Sequence, residues 1–158
     1  MSSVKLDRLD IRILNVLQED ASIPLRTLAG IVHASAATCQ RRIAALRANR
    51  ILLKEVALID RVRVGRPLTI FVSVDLETQN DARLREFEQT ISGEPDVMAC
   101  YEVSGEWDFL LVVAATSMEA YHLFTRRLFT ATNNIGNFMS LFAMNCSKFE
   151  TKIPLEEK

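Results

Sequence analysis

The sequence predicts an α+β chain in two parts, three short helices followed by a four-stranded βαββαβ unit. Three observations carry this. Apolar residues recur at helical spacing through about residue 48 and switch to a period of two from Leu68 onward. Charge divides at nearly the same place: residues 1–66 hold twelve Lys/Arg against six Asp/Glu, a net of +6, and a whole-chain charge of −1 leaves −7 for the rest. A length of 158 residues, 49% hydrophobic and 25% charged, suffices for two small cores and excludes disordered or low-complexity classes.

The elements follow in order. Leu6, Leu9, Ile13, Val16 and Leu17 form the apolar stripe of a first helix, with Asp7 placed to cap its N-terminus. After the polar break 19–22, Pro24 suits a first helical turn, and Leu25, Leu28, Ala29 and Val32 make a second, short helix. His33 and Ala34 form a tight break, and Ser35 caps a third helix running to about Ala48. Leu52 to Asp60 is aliphatic enough for a strand, and Asp60 to Pro67, with Arg61, Arg63, Gly65 and Arg66, reads as a basic hinge. The expected domains are therefore 1–60 and 67–158, with the hinge at about 52–66.

In the second part Leu68, Ile70, Val72, Val74 and Leu76 share one strand face. A helix follows from about Asp81 with Leu84, Phe87 and Ile91 inward, ended by Gly93 and Pro95. Val97–Ser104 and Phe109–Ala115 form a hairpin about the turn Gly105 to Asp108. Ser117 caps another helix with Tyr121, Phe124 and Leu128 inward, and a last strand is expected over Phe138–Phe149. This order is ferredoxin-like. Phe71, Phe138, Phe142 and Met144 are expected on the helix-free face of the sheet, which would then seek a second copy of the chain.

Several chemistries are excluded. No apolar run reaches the roughly 18 residues of a membrane span, and Met1 to Asp10 is charged where a secretion leader is apolar, which points to the cytoplasm. Cys39, Cys100 and Cys146 are odd in number, far apart and without nearby histidine, so they read as buried thiols rather than disulfides or metal ligands. His33 and His122 are isolated, and no nucleophile elbow, phosphate loop, zinc-helix or dinucleotide fingerprint occurs. No enzyme activity, cofactor or metal is expected.

On the third helix, Cys39, Ile43 and Leu46 form the buried stripe, and the opposite side is small and polar: Ala37, Arg41 and Ala44, flanked by Thr38, Gln40 and Ala45. Arginine pairs bidentately with guanine and glutamine with adenine. Two short helices with a tight turn, the second presenting such a face, make a helix-turn-helix whose second helix enters the DNA major groove. The expected DNA-binding residues are Ser35, Ala37, Thr38, Gln40 and Arg41, with Arg42, Arg47 and the hinge arginines on phosphates.

The chain resembles the Lrp/AsnC family of transcriptional regulators over essentially its whole length. The resemblance rests on Leu6-Asp7-Arg8-Leu9-Asp10 with Ile13-Leu14, on Ser35, Thr38-Cys39 and Arg42-Ile43 through Leu46, and most specifically on Val103-Ser104-Gly105-Glu106-Trp107-Asp108-Phe109-Leu110-Leu111. It departs at His33, where the family usually has glycine, at Ala36 and Ala37, and at Phe138, where a small hydroxyl residue is common. The resemblance implies a RAM-type second domain and a regulator of transcription responding to a small amino acid. The effector site would comprise Gly105, Glu106, Trp107 and Asp108, with Ile135 and Ser140 from a neighbouring subunit. A glycine turn frees N–H groups for a carboxylate, and Asp108 can pair an ammonium or simply cap the hairpin; Trp107 can line a pocket or anchor packing. The apolar surroundings favour leucine or methionine. Homodimers assembling to octamers or other higher oligomers are implied. A similar family, the sirohaem decarboxylases, supplies the alternative of a tetrapyrrole enzyme on the same two domains.

Overall fold

A computed structural model describes residues 5–157, apart from the side chain of Ala131; residues 1–4 of the charged start lie outside the described residues. Two compact units emerge, one taking in the chain to Ala57 and again from Lys148, the other Leu58–Ser147.

The first unit holds α1 (Arg8–Glu19), α2 (Leu25–Ile31) and α3 (Ala36–Ala48). Asp7 caps α1 in a reciprocal box: its side chain accepts the Asp10 N–H at 2.9 Å and its own N–H donates to Asp10 Oδ2 at 3.2 Å. Pro24 precedes α2, and the turn after it is made by His33 at φ 53°, a left-handed conformation that costs a side chain about 1 kcal/mol or more. Ser35 Oγ accepts the Thr38 N–H at 3.1 Å to start α3. At its end Arg50, at φ 55°, directs the Ile51 N–H back to the Leu46 carbonyl at 2.9 Å, a Schellman closure. Ile13, Leu14, Leu17, Leu28, Ala29, Val32, Cys39 and Leu46 form the core these three helices share.

The second unit is an antiparallel sheet of β1 (Leu68–Leu76), β2 (Val97–Glu102), β3 (Phe109–Ala115) and β4 (Ile135–Phe142), ordered β2-β3-β1-β4. Helices α4 (Asp81–Ser92) and α5 (Met118–Leu128) cover one face, burying Phe87, Ile91, Tyr121, Phe124 and Leu128 on Ile70, Val72, Val74, Phe109, Leu111 and Val113. This is the expected βαββαβ unit. Gly136 eases the passage of β4 past the β1 end, because a Cβ there would lie 3.2 Å from the Glu77 nitrogen, a tight contact with backbone.

Five expectations need correction. Leu52–Asp60 forms no strand; Leu53, Val56, Leu58 and Ile59 are exposed, and no strand among the described residues pairs with them. β4 covers Ile135–Phe142 rather than Phe138–Phe149. Its register pairs Phe138 with Val74 and Phe142 with Ile70, so both phenylalanines lie on the helix side, against Phe129 and Tyr121. The open face instead carries Phe71, Tyr101, Leu110, Val112, Met139 and Leu141. β4 is apolar at both odd and even positions, so alternation could not set its phase; pairing with β1 does. Residues 148–158, expected in the second domain, belong to the first unit, where Leu155 packs against the helical core. Finally, Cys39 is buried as expected, but Cys100, on edge strand β2, and Cys146, beyond β4, are exposed.

Candidate functional site

Helix α3 turns Ala37, Gln40, Arg41, Ala44, Ala45 and Arg47 outward and Cys39 and Leu46 inward. Ser35 and Thr38 are tied together at the N-terminus, the Ser35 hydroxyl donating to Thr38 Oγ1 at 2.9 Å. Arg41 forms no hydrogen bond or ion pair among the described residues and is free to reach a partner.

Its neighbour is different. Arg42 Nη1 lies 2.8 Å from Asp7 Oδ2 and 3.4 Å from both Asp10 oxygens, clamping α3 to the cap of α1. The Asp10 N–H first, and Arg42 with it, hold the Asp7 carboxyl below the usual carboxylate range. Arg47 Nη2 is 2.5 Å from Glu55 Oε1. Two of the expected phosphate contacts are thus engaged within the unit. The hinge arginines are anchored too: Arg61 donates to Thr69 Oγ1 at 2.6 Å, Arg66 to Asp96 at 2.5 Å and to the Ala114 carbonyl at 2.9 Å, and Arg63 lies 3.4 Å from Asp60.

At the hairpin, Gly105 adopts φ 130°, a conformation open to glycine, and the turn closes by Val103 N–H to the Asp108 carbonyl at 2.9 Å. Asp108 N–H reaches the Val74 carbonyl at 3.0 Å, and its Oδ2 accepts the Leu76 N–H at 2.8 Å and Gln79 Nε2 at 3.3 Å. The carboxylate therefore already fastens the β3 start to the β1 end. Glu106 is exposed and Trp107 half-buried. Ile135 is buried in the sheet core, its N–H on the Thr130 carbonyl at 3.2 Å.

Ser140 sits apart from that turn. Its hydroxyl lies 2.6 Å from the Tyr121 hydroxyl, within a cleft of about 590 Å³ between α5 and β4, lined also by Met118, His122, Phe138 and Phe142. Burial raises the Tyr121 pKa, and the Ser140 contact opposes this. Sequence reasoning named Ser140 but missed its cleft, because Tyr121 read only as an inward helix residue. Among the described residues no cluster of metal-ligating side chains occurs, and no helix is long and apolar enough to cross a membrane.

A family model of the AsnC-type helix-turn-helix domain matches residues 6–47, and one of the Lrp/AsnC ligand binding domain matches residues 69–153. The chain belongs to the Lrp/AsnC family. A Haemophilus influenzae HTH-type transcriptional regulator is 44% identical over 150 residues, 95% of this chain and 89% of that protein. The crystal structure of an AsnC family transcriptional regulator from Agrobacterium tumefaciens matches with a TM-score of 0.88 at 36% identity, covering 94% of this chain and 97% of that one. A Neisseria meningitidis transcriptional regulator solved as an L-Met complex matches with a TM-score of 0.88 at 30% identity, covering 95% and 97%. This member of the Lrp/AsnC family is a transcriptional regulator with a DNA-binding helix-turn-helix domain and a ligand-binding domain.

Proposed function

We propose that this Lrp/AsnC regulator reads DNA sequence with α3 and changes its output on binding an apolar amino acid of the leucine or methionine class. The observation that carries the DNA half is the outward face of α3, small and polar around an uncommitted Arg41 and capped at the groove-entering end by Ser35. Ser35, Ala37, Thr38, Gln40 and Arg41 approach the bases. Arg42 acts from behind them as a clamp, and Arg47 must leave Glu55 to reach a phosphate.

The effector half rests on the Gly105–Asp108 turn and on the Ser140 cleft, the latter lined by Met118, Leu123, Phe138 and Phe142; the L-Met ligand of the Neisseria relative supports this class. Both Asp108 and Ser140 serve one ligand only if they come from different subunits, because within one chain β1 separates them: Asp108 is bound to the β1 end at Leu76, while Ser140 pairs with Val72. A homodimer through the open sheet face bearing Phe71, Tyr101, Met139 and Leu141, with octamers or other assemblies of dimers above it, supplies such neighbours. The protein acts in the cytoplasm and performs no catalysis.

Calorimetry with leucine and methionine on wild type and Asp108→Ala tests the effector, and salt-dependent anisotropy on a selected operator tests the DNA. No amino-acid heat at millimolar concentration, or equal binding by Asp108→Ala that melts normally, would overturn the effector assignment.

A further inference from the structure

Residues 152–157 run along one line of α1 in the opposite direction to the helix. Lys152 meets Glu19 at one end. Gln18 then brackets the Ile153 peptide unit, its Oε1 accepting the Ile153 N–H at 2.7 Å and its Nε2 donating to the Ile153 carbonyl at 3.1 Å. Asn15 Nδ2 donates to the Leu155 carbonyl at 3.2 Å, and Arg12 grips the Glu157 carboxylate with Nε at 2.9 Å and Nη2 at 3.0 Å.

The two spacings fit one another. Helix positions 12, 15 and 18–19 share a face at three to four residues, while 153, 155 and 157 lie on one side of an extended chain at a period of two. Amide side chains supply what a neighbouring strand would supply to that backbone. Pro154, which has no N–H to satisfy, stands between the two bonded peptide units.

The attachment is specific but thin. Leu155 alone of the segment is half-buried, and the side chains at both ends are largely open to water, where such ion pairs contribute little. The core of the helical unit is meanwhile complete from Ile13, Leu28, Val32 and Cys39, each nearly inaccessible to water.

We propose that residues 152–157 form a latch, an extended peptide docked on α1 that leaves and reseats while the helix-turn-helix stays folded. Closed, it is held on α1 by hydrogen bonds, the two end ion pairs and Leu155; open, it frees Gln18 and Asn15 and releases Arg12 from Glu157. The surface it occupies is built for an extended segment with an apolar side chain two residues before a carboxylate, which Leu155 and Glu157 supply.

Amide hydrogen exchange on the full chain tests the latch, comparing Ile153 with Ile13 and Leu14 of α1. Opening without unfolding makes Ile153 exchange about tenfold or more slower than an unstructured amide, yet about a hundredfold faster than the α1 amides. Gln18→Ala, which removes the side chain bracketing Ile153, lowers Ile153 protection about tenfold and leaves Ile13 and Leu14 within twofold. Leu155→Asp acts in the same direction. Wild-type exchange of Ile153 at the α1 rate would mean a permanent part of the fold, and exchange at the unstructured rate would mean no docking. Either result, or indifference of Ile153 to both variants, overturns the proposal.

Discussion

Adjacent arginines on α3 have opposite assignments, so the pair Arg41→Ala and Arg42→Ala separates DNA reading from helix clamping within one turn. Arg42 touches Asp7 and Asp10, and Asp10 is 8% exposed, so removing the guanidinium strips a partner from a nearly buried carboxylate. A hydrogen bond to a charged group is worth about 1.5–3 kcal/mol. With about a third of the Arg42 side chain and half of that of Asp7 open to water, the loss is discounted to about 1–2 kcal/mol. For a unit of this size each kcal/mol is about 4–8 °C in Tm. Arg41 makes no hydrogen bond or ion pair among the described residues, so its loss leaves Tm within about 1 °C and shows only on DNA, where a lost bidentate base contact of about 1–3 kcal/mol weakens Kd about 5- to 150-fold and relaxes preference at one position. Calorimetric melting and operator anisotropy at fixed salt read both variants. The reasoning is refuted if Arg42→Ala melts like wild type while losing affinity for every sequence alike, or if Arg41→Ala binds its operator unchanged.

Three other outcomes follow from single positions. His33→Gly at φ 53° relieves backbone strain and raises Tm by an amount corresponding to about 1 kcal/mol; a lowered Tm in a melting experiment contradicts this. Desolvation and Glu88 push the Cys100 thiol up to about 11, so its alkylation followed by mass spectrometry keeps accelerating with pH well past neutrality, and a plateau below pH 9 would count against it. Arg12 holds the Glu157 carboxyl below its ordinary 4.5, which makes the contribution of this pair to docking complete above that value and lost as pH falls through the lower, folded one; Ile153 protection therefore declines on acidification below about pH 4.5, and protection that rose there would reverse the sign.

Most of the fold was legible because its elements carry local signals. Asp7, Ser35 and Ser117 are side-chain caps that announce their helices, and the inward residues of β1 alternate with less apolar ones. Where both faces of an element are apolar, as in β4, alternation says nothing about phase, and only the pairing of Phe138 with Val74 and Phe142 with Ile70 decides it. Residues 52–60 illustrate the converse, since β-propensity describes fit to a sheet and this segment pairs with no strand among the described residues. The outward face of α3 was readable from helical geometry alone. The partners of Arg42, Arg47, Asp108 and Ser140 were not, because each lies on another element: Asp7 is 35 residues from Arg42 in sequence, and nothing local marks the meeting.

The same long-range pairing limits what the basic charge of the first 66 residues can do on DNA. Among the described residues, Arg8, Arg12, Arg42, Arg47, Arg61, Arg63 and Arg66 all have partners, which leaves Lys5, Arg26, Arg41, Arg50 and Lys54 without one. The salt dependence of binding counts phosphates neutralised, at about 0.9 per contact in the log–log slope. Twelve cations from each of two protomers would give a slope near −22, whereas five from each give at most about −9. A measured slope shallower than about −9 on a selected operator fits a surface whose arginines mostly brace the fold, and one approaching −20 would show that these ion pairs dissolve on DNA.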